Sequence, residues 1–321
     1  MTGTGHVAGG RTDAGGPPSG RIVSGLMRIG DMPDDDVRAL YDAARRAGVT
    51  TFDHADIYGF HLADGAMHVC EERFGAALNL SPAEREEIVI QTKTGIVPTE
   101  SRYDSSYDHI VSSAEGSLRA LRTDHVDVLL IHRPDALAEP DEIARAADHL
   151  IGSGKVRAIG VSNHTPAQID LLAASLDHPI VVNQVQLSLG CAGLITQGMF
   201  ANVAGAEQAV VRDGGGLLDH ARLRGIRIQA WSPLQAAGGG LVVDAERFPG
   251  TGGLLAALAE RHGVTPTAIA IAWLTRHPAG IEPVVGTTSP SRLHEAAAGA
   301  GVRLTNPEWY DLLRAAGHDI P

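Results

Sequence analysis

The sequence predicts a single α/β domain closed into a (β/α)8 (TIM) barrel, and three observations carry that expectation. Eight short apolar runs recur along the chain, segments with helical period and helix punctuation lie between them, and the runs are too apolar to leave one face in water. Strict alternation of such strands and helices gives a parallel sheet covered by helices, and eight units close it. A generic size prior would divide 321 residues into two domains, but barrels of this class routinely reach this length.

The first strand is expected at RIVSG, which begins at Arg21. PDDDVRALYDAARRAG then reads as a helix: Val37, Leu40, Tyr41 and Ala44 share a face, acids fill the first turn, arginines the last, and Gly48 stops it. Further strands are expected at residues 49–53, 88–92, 126–131, 157–161, 180–185, 226–231 and 283–286. TPAQIDLLAASL begins with Thr165 as N-cap and Pro166 at the first helical position, and TPTAIAIAWLTRHP and SPSRLHEAAAGA begin the same way. Two segments break the rhythm. Residues 189–216 form an Ala- and Gly-rich insertion after the sixth strand, with Met199 and Phe200 as its main bulky residues; it either covers the barrel mouth or lies against the outside. PLQAAGGGLVVDAERFPGTGG forms a Gly-rich loop after the seventh strand.

Hydrophobic residues make up 44% of the chain and charged residues 20%, enough apolar material for an extensive core. The net charge of -12 weighs against nucleic acid or an anionic membrane as partner, since both attract basic patches. No run approaches the roughly 18 apolar residues a membrane span needs. Residues 1–20 lack an apolar signal region and are rich in Gly, Pro and Thr, so a flexible tail is expected there, with the barrel over 21–321. Cys70 and Cys191 are too few for a disulfide framework and read as small hydrophobes, which fits a reducing cytoplasm. A closed sheet leaves no edge to pair, which permits a monomer.

In a barrel of this kind, polar residues at the carboxyl ends of strands converge on one mouth. Asp53, Lys93, His132, Ser162, Asn163, Gln184 and Ser232 stand at or near the ends of consecutive strands, and Tyr58 lies one turn beyond Asp53. Taken singly, each has a plain structural role: Asp53 as a turn or helix cap, Lys93 reaching solvent, His132 as a satisfied histidine. Six strands doing this in succession is not the scatter that such roles produce. A phenol ordinarily titrates near pH 10, and a neighbouring ammonium lowers that value. Lys93 would supply the ammonium, Asp53 would keep Lys93 charged, and His132 would hold a substrate oxygen against Tyr58. No His/Cys cluster suggests a metal. There is also no Gly-x-Gly-x-x-Gly after a strand, so a Rossmann domain is not expected.

From about Arg21 to the C-terminus the chain resembles the aldo-keto reductases. FDHADIYG resembles the family's first signature, TKTG its lysine strand, LLIHRPD its histidine strand, GVSN and NQVQ its nicotinamide-amide contacts, and GTTSPSRLHEA its adenine-end signature. RIVSGLMR, GKVRAIGVSNHTPAQ and the closing GHDIP further resemble the YdhF-like subgroup of bacterial predicted oxidoreductases. The resemblance implies a catalytic tetrad of Asp53, Tyr58, Lys93 and His132, with Tyr58 as proton donor. It implies that Ser162, Asn163 and Gln184 hold the nicotinamide carboxamide and that Trp231 stacks on its ring. Ser232, Pro233 and Leu234 would follow the pyrophosphate, with Leu26 and Met27 at the cofactor's edge. Gly286, Thr287, Thr288, Arg292 and Glu295 would receive the adenosine end.

A guanidinium binds a 2′-phosphate bidentately, so Arg292 favours NADPH (NADP+) over NADH. Two departures are present: Gly286 stands where many relatives have a lysine, and Ala296 where they have an asparagine. The implied activity is NADPH-dependent reduction of a small aldehyde or ketone, without a metal. An NADPH-binding redox sensor or regulatory module is the alternative. A Schiff-base aldolase using Lys93 would need a depressed lysine pKa. Arg133, beside the histidine, either meets an anionic substrate or pairs with Asp135.

Overall fold

The computed structural model describes residues 21–62, 64–199 and 216–320. The tail expected at 1–20, Phe200 and most of the 189–216 insertion lie outside the described residues. The strands are β1 (Val23–Gly25), β2 (Thr51–Asp53), β3 (Val89–Thr94), β4 (Ile96–Val97), β5 (Arg102–Tyr103), β6 (Val126–Ile131), β7 (Val156–Ser162), β8 (Ile180–Gln186), β9 (Arg227–Trp231) and β10 (Glu282–Val285). The helices are α1 (Asp34–Arg46), α2 (Val69–Leu78), α3 (Pro82–Glu86), α4 (Tyr107–Leu121), α5 (Pro140–Gly152), α6 (Pro166–Ala173), α7 (Gly193–Thr196), α8 (Leu217–Arg224), α9 (Pro249–His262), α10 (Pro266–Thr275), α11 (Pro290–Gly299) and α12 (Asn306–Ala315).

Eight strands close a parallel barrel in the order β1, β2, β3, β6, β7, β8, β9, β10, and β10 pairs back onto β1. Every expected strand is present within two residues of its expected bounds. The caps also form as the sequence requires. Thr165 accepts from Gln168 N in a full capping box with Pro166 at the first position, Thr265 caps α10, and Ser289 caps α11. In α1, Val37, Leu40 and Ala44 are buried, with three acids in the first turn and two arginines in the last.

Alternation splits each strand between two environments. Leu129 and Ile131 belong to the main core, whereas Val128 and Leu130 join Ala158, Val181 and Val182 in a separate small cluster. The interior is crowded: a Cβ on Gly160 would stand 2.4 Å from Val182 Cγ1.

Three features were not legible in advance. The short hairpin of β4 and β5 follows the lysine strand, and α12 packs on α9 and α10, where Trp273 and Trp309 stack at 5.0 Å. The Gly-rich loop is also shorter than expected. α9 starts at Pro249, so Gly250, Gly252 and Gly253 are helical. The reason is contact: a Cβ on Gly252 would lie 2.6 Å from Ala245 Cα, so the glycine serves close packing and not a turn. No described helix is long and apolar enough to cross a membrane.

Candidate active site

Asp53 ends β2, Lys93 is the penultimate residue of β3, and His132 directly follows β6, so three neighbouring strands deliver them to one mouth. Tyr58 arrives from the turn after β2, which is closed by Tyr58 N donating to Ala55 O and by Cys70 N donating to Tyr58 O. The turn lies tight against α2 because Gly59, at φ 84°, has no Cβ; one would meet Val69 Cβ at 2.8 Å.

Lys93 is fully buried, and its ammonium makes four contacts: Asp53 Oδ1 and Oδ2 at 2.7 Å each, the His54 carbonyl at 2.8 Å and Tyr58 Oη at 2.9 Å. An ammonium has no acceptor capacity, so Lys93 donates to the phenol oxygen and leaves the phenolic hydrogen for another partner. The Tyr58 and His132 rings meet edge to face at 6.2 Å.

Burial works to lower the Lys93 pKa, but Asp53 and Tyr58 outweigh it and hold the value above its ordinary range. Burial pushes the Tyr58 phenol up to about 12, with Lys93 pulling the other way and losing. The expected net lowering of this phenol is therefore reversed, because the hydroxyl is desolvated along with its cation. For His132, burial first and then the Lys93 and Arg133 charges keep the imidazole neutral, far below its usual pKa. Its Nδ1 has no hydrogen-bond partner among the described residues.

Next to this group, Ser162 Oγ donates to the Gln184 carbonyl at 2.8 Å. Asn163 Nδ2 donates to Ser162 Oγ and the His132 carbonyl, while its Oδ1 accepts from Trp231 Nε1 at 3.0 Å. Asn163 takes a left-handed φ of 61°, and Ser232 likewise at 51°; both lie just past strand ends, where the chain turns over the mouth. Gln184 Nε2 donates to Asp53 Oδ1 at 2.9 Å. The half-buried Trp231 indole is thus anchored by its nitrogen.

The remaining residues fall into two groups. Leu26 and Pro233 are buried, whereas Met27, Ser232 and Leu234 are exposed or half-buried. At the far end, Gly286, Thr287, Thr288, Arg292 and Glu295 line the end of β10 and the start of α11, with Arg292 exposed. Ala296 is fully buried and offers no polar contact.

Sequence reasoning missed four residues. Gln91, Gln229 and Glu282 join Asp53 inside the barrel, and the signal was period two: Gln91 shares a face with Lys93, and Gln229 with Trp231. Arg28 is the fourth; its Nη1 donates to the Gly286 carbonyl at 2.6 Å and brings a cation to the position where Gly286 itself has none. The pairing of Arg133 with Asp135 does not form. Asp135 instead accepts from the backbone of Ser105 and Leu137, closing its own turn. Among the described residues no group of three or more His, Cys, Asp or Glu could hold a metal ion.

Comparison with known proteins accounts for this arrangement. The model of the Aldo/keto reductase family matches residues 21–315. The chain is 38% identical over 307 residues to the 6-dehydroglucose reductase of Agrobacterium fabrum, covering 92% of this chain and 94% of that one. It is 36% identical over 316 residues to Oxidoreductase YdhF of Escherichia coli, covering 95% and 97%. Its fold matches the thermostable aldo-keto reductase Tm1743, solved with the inhibitor epalrestat, at a TM-score of 0.71 and 24% identity over 94% of this chain and 97% of that one. Fold, motifs and relatives agree: the chain belongs to the aldo/keto reductase family of oxidoreductases.

Proposed function

We propose that this chain reduces a small aldehyde or ketone to the alcohol, with NADPH as cofactor and Tyr58 as proton donor. One observation carries the reading: Lys93 donates to Tyr58 Oη at 2.9 Å, so the phenol keeps its own hydrogen to give to a substrate oxygen. A phenol pKa near 12 keeps that hydrogen in place at neutral pH, which suits an acid in the reductive direction. Neutral His132 supplies a second N–H donor beside it, so the two groups together hold and polarise the carbonyl oxygen. Asp53 and the His54 carbonyl fix the ammonium that links them.

A nicotinamide dinucleotide fits the residues present: Trp231 offers a half-open indole face, and Asn163 and Gln184 stand beside it with their amide nitrogens already committed. NADPH supplies the hydride when bound. Arg292 is free to meet a 2′-phosphate, and Arg28 adds a cation at Gly286. The raised Lys93 pKa argues against a Schiff-base lysine, which needs the neutral amine. The same reading takes residues 21–321 as one domain working as a cytoplasmic monomer; both cysteines are free and the closed sheet has no edge strand to pair.

The test is NADPH oxidation across a panel of small aldehydes and ketones, run on wild type and Tyr58→Phe, with NADH as comparison. Similarity to a 6-dehydroglucose reductase is the reason to include oxidised sugars. Tyr58→Phe is expected to lose turnover about a thousandfold while binding NADPH as wild type does, because it removes a proton and no cofactor contact. Turnover retained in that variant sinks the assignment. Tight NADPH binding with no turnover on any carbonyl moves the weight to a redox-sensing or regulatory module.

A further inference from the structure

Five polar side chains form one hydrogen-bonded layer through the barrel interior, from Asp53 at the mouth end of β2 to Glu282, the first residue of β10. Gln91 Nε2 donates to Asp53 Oδ1 at 2.5 Å and to Gln229 Oε1 at 2.7 Å. Gln184 Nε2 donates to the same two oxygens at 2.9 and 3.0 Å. Gln229 Nε2 donates to Gln91 Oε1 at 2.9 Å and to Glu282 Oε2 at 3.2 Å. Arg227 stands 3.9 Å from Glu282 at the outer end. The three glutamines are 0–2% exposed, so no water competes for these groups.

The two ends decide how the amides lie. A carboxylate only accepts, and Asp53 is paired with the Lys93 ammonium as Glu282 is with Arg227. Each therefore requires an amide NH2. Turning any one glutamine over would set an oxygen against a carboxylate or an NH2 against an NH2, in a dry interior where neither is tolerated. With that orientation every amide hydrogen has an acceptor. Among the described residues Gln229 Oε1 receives two donors and Gln91 Oε1 receives one, but Gln184 Oε1 receives none.

We infer that Gln91, Gln229 and Glu282 are positioning residues that lock Gln184 with its amide oxygen outward, so that this position reads the amino group of the nicotinamide carboxamide and rejects rings without it. The inference rests on the dinucleotide reading of Gln184 above and goes beyond it in naming what fixes the amide. None of the three touches a reacting atom; their effect passes through Gln184.

The experiment compares binding of NADP+ with that of 3-acetylpyridine adenine dinucleotide phosphate, in which a methyl group replaces the carboxamide amino group, by quenching of protein fluorescence. Wild type is expected to favour NADP+ by about tenfold, the worth of one good hydrogen bond in a dry site. Gln229→Met removes the second acceptor that holds Gln184, and Glu282→Gln removes the acceptor-only end that orients Gln229. Both are expected to narrow the preference severalfold. Val23→Ala, which opens space at a buried barrel position paired with Val284 and Thr51 outside this layer, is expected to retain it, and a general loosening of the interior cannot produce that contrast. A full wild-type preference in Gln229→Met or Glu282→Gln, or its loss in Val23→Ala, overturns the inference. Gln184→Met separates the two levels: if it discriminates as wild type does, the dinucleotide reading of Gln184 fails. If it alone loses the preference, that reading stands and the positioning role falls.

Discussion

The two ends of the proposed cofactor site are built in opposite ways. Around Ser162, Asn163 and Gln184, every side-chain donor is committed to a neighbour, and Ser162 and Gln184 are 1% and 2% exposed. Around α11 the polar side chains face solvent: Thr288 and Arg292 are exposed, and apart from the Arg28 contact to the Gly286 carbonyl the bonds there are local, with Ser289 capping the helix and Thr287 Oγ1 accepting from Ser289 N. The difference follows from what each end has to do. Hydride and proton transfer tolerate little misplacement, so the reacting end needs side chains whose rotamers are already fixed. Recognition of a phosphate needs charge and reach, which a mobile guanidinium supplies in water.

If the contrast holds, damage at the buried end should be severe and indivisible. Lys93→Met leaves the Asp53 carboxylate buried without its cation, so a stability loss of about 3–5 kcal/mol is expected together with a turnover loss of about a hundredfold or more. Thermal unfolding and steady-state kinetics read the two separately. A variant with wild-type stability would mean that the amide donors of Gln91 and Gln184 satisfy the Asp53 carboxylate without the cation, and the buried end would be less interdependent.

Damage at the exposed end should be selective. Arg292→Ala is expected to raise the KM for NADPH by about tenfold or more while leaving the KM for NADH and the unfolding temperature unchanged, since only a charge-assisted contact to the 2′-phosphate is lost. Equal losses for both dinucleotides would remove the contrast.

A pH-dependent effect sharpens the picture behind the mouth. Asp56, in the turn that carries Tyr58, accepts from Ser113 Oγ at 2.7 Å, and burial pushes its carboxyl up to about 7. In the unfolded chain it titrates near 4. A folded pKa above the unfolded value contributes stability that is present below about pH 4 and is lost as pH rises through about 7. Asp56→Asn has no such titration, so its stability relative to wild type should climb between those values and then level off. Thermal unfolding of both proteins across that range checks the sign, and a constant difference would show that Asp56 is not the group that titrates.

Much of this was legible in the sequence because the signals are local. The capping residues, the eight apolar runs and the polar residues at their ends each depend on neighbours within a few positions, and Asp53, Tyr58, Lys93 and His132 do meet at one mouth. What failed locally failed for a nonlocal reason. Gly252 reads as a loop residue until Ala245 is seen against it, and Arg133 next to Asp135 reads as an ion pair until Asp135 is found closing a turn.

The sequence by itself determined the alternation of strands and helices, the strand ends and the chemical groups standing there, since period, capping and composition act over one or two turns of chain. Only the tertiary structure decided the sign of the Tyr58 shift and the path of the glutamine layer. Desolvation depends on everything packed around a group, and an amide's orientation on carboxylates from distant strands; neither quantity exists until the barrel has closed.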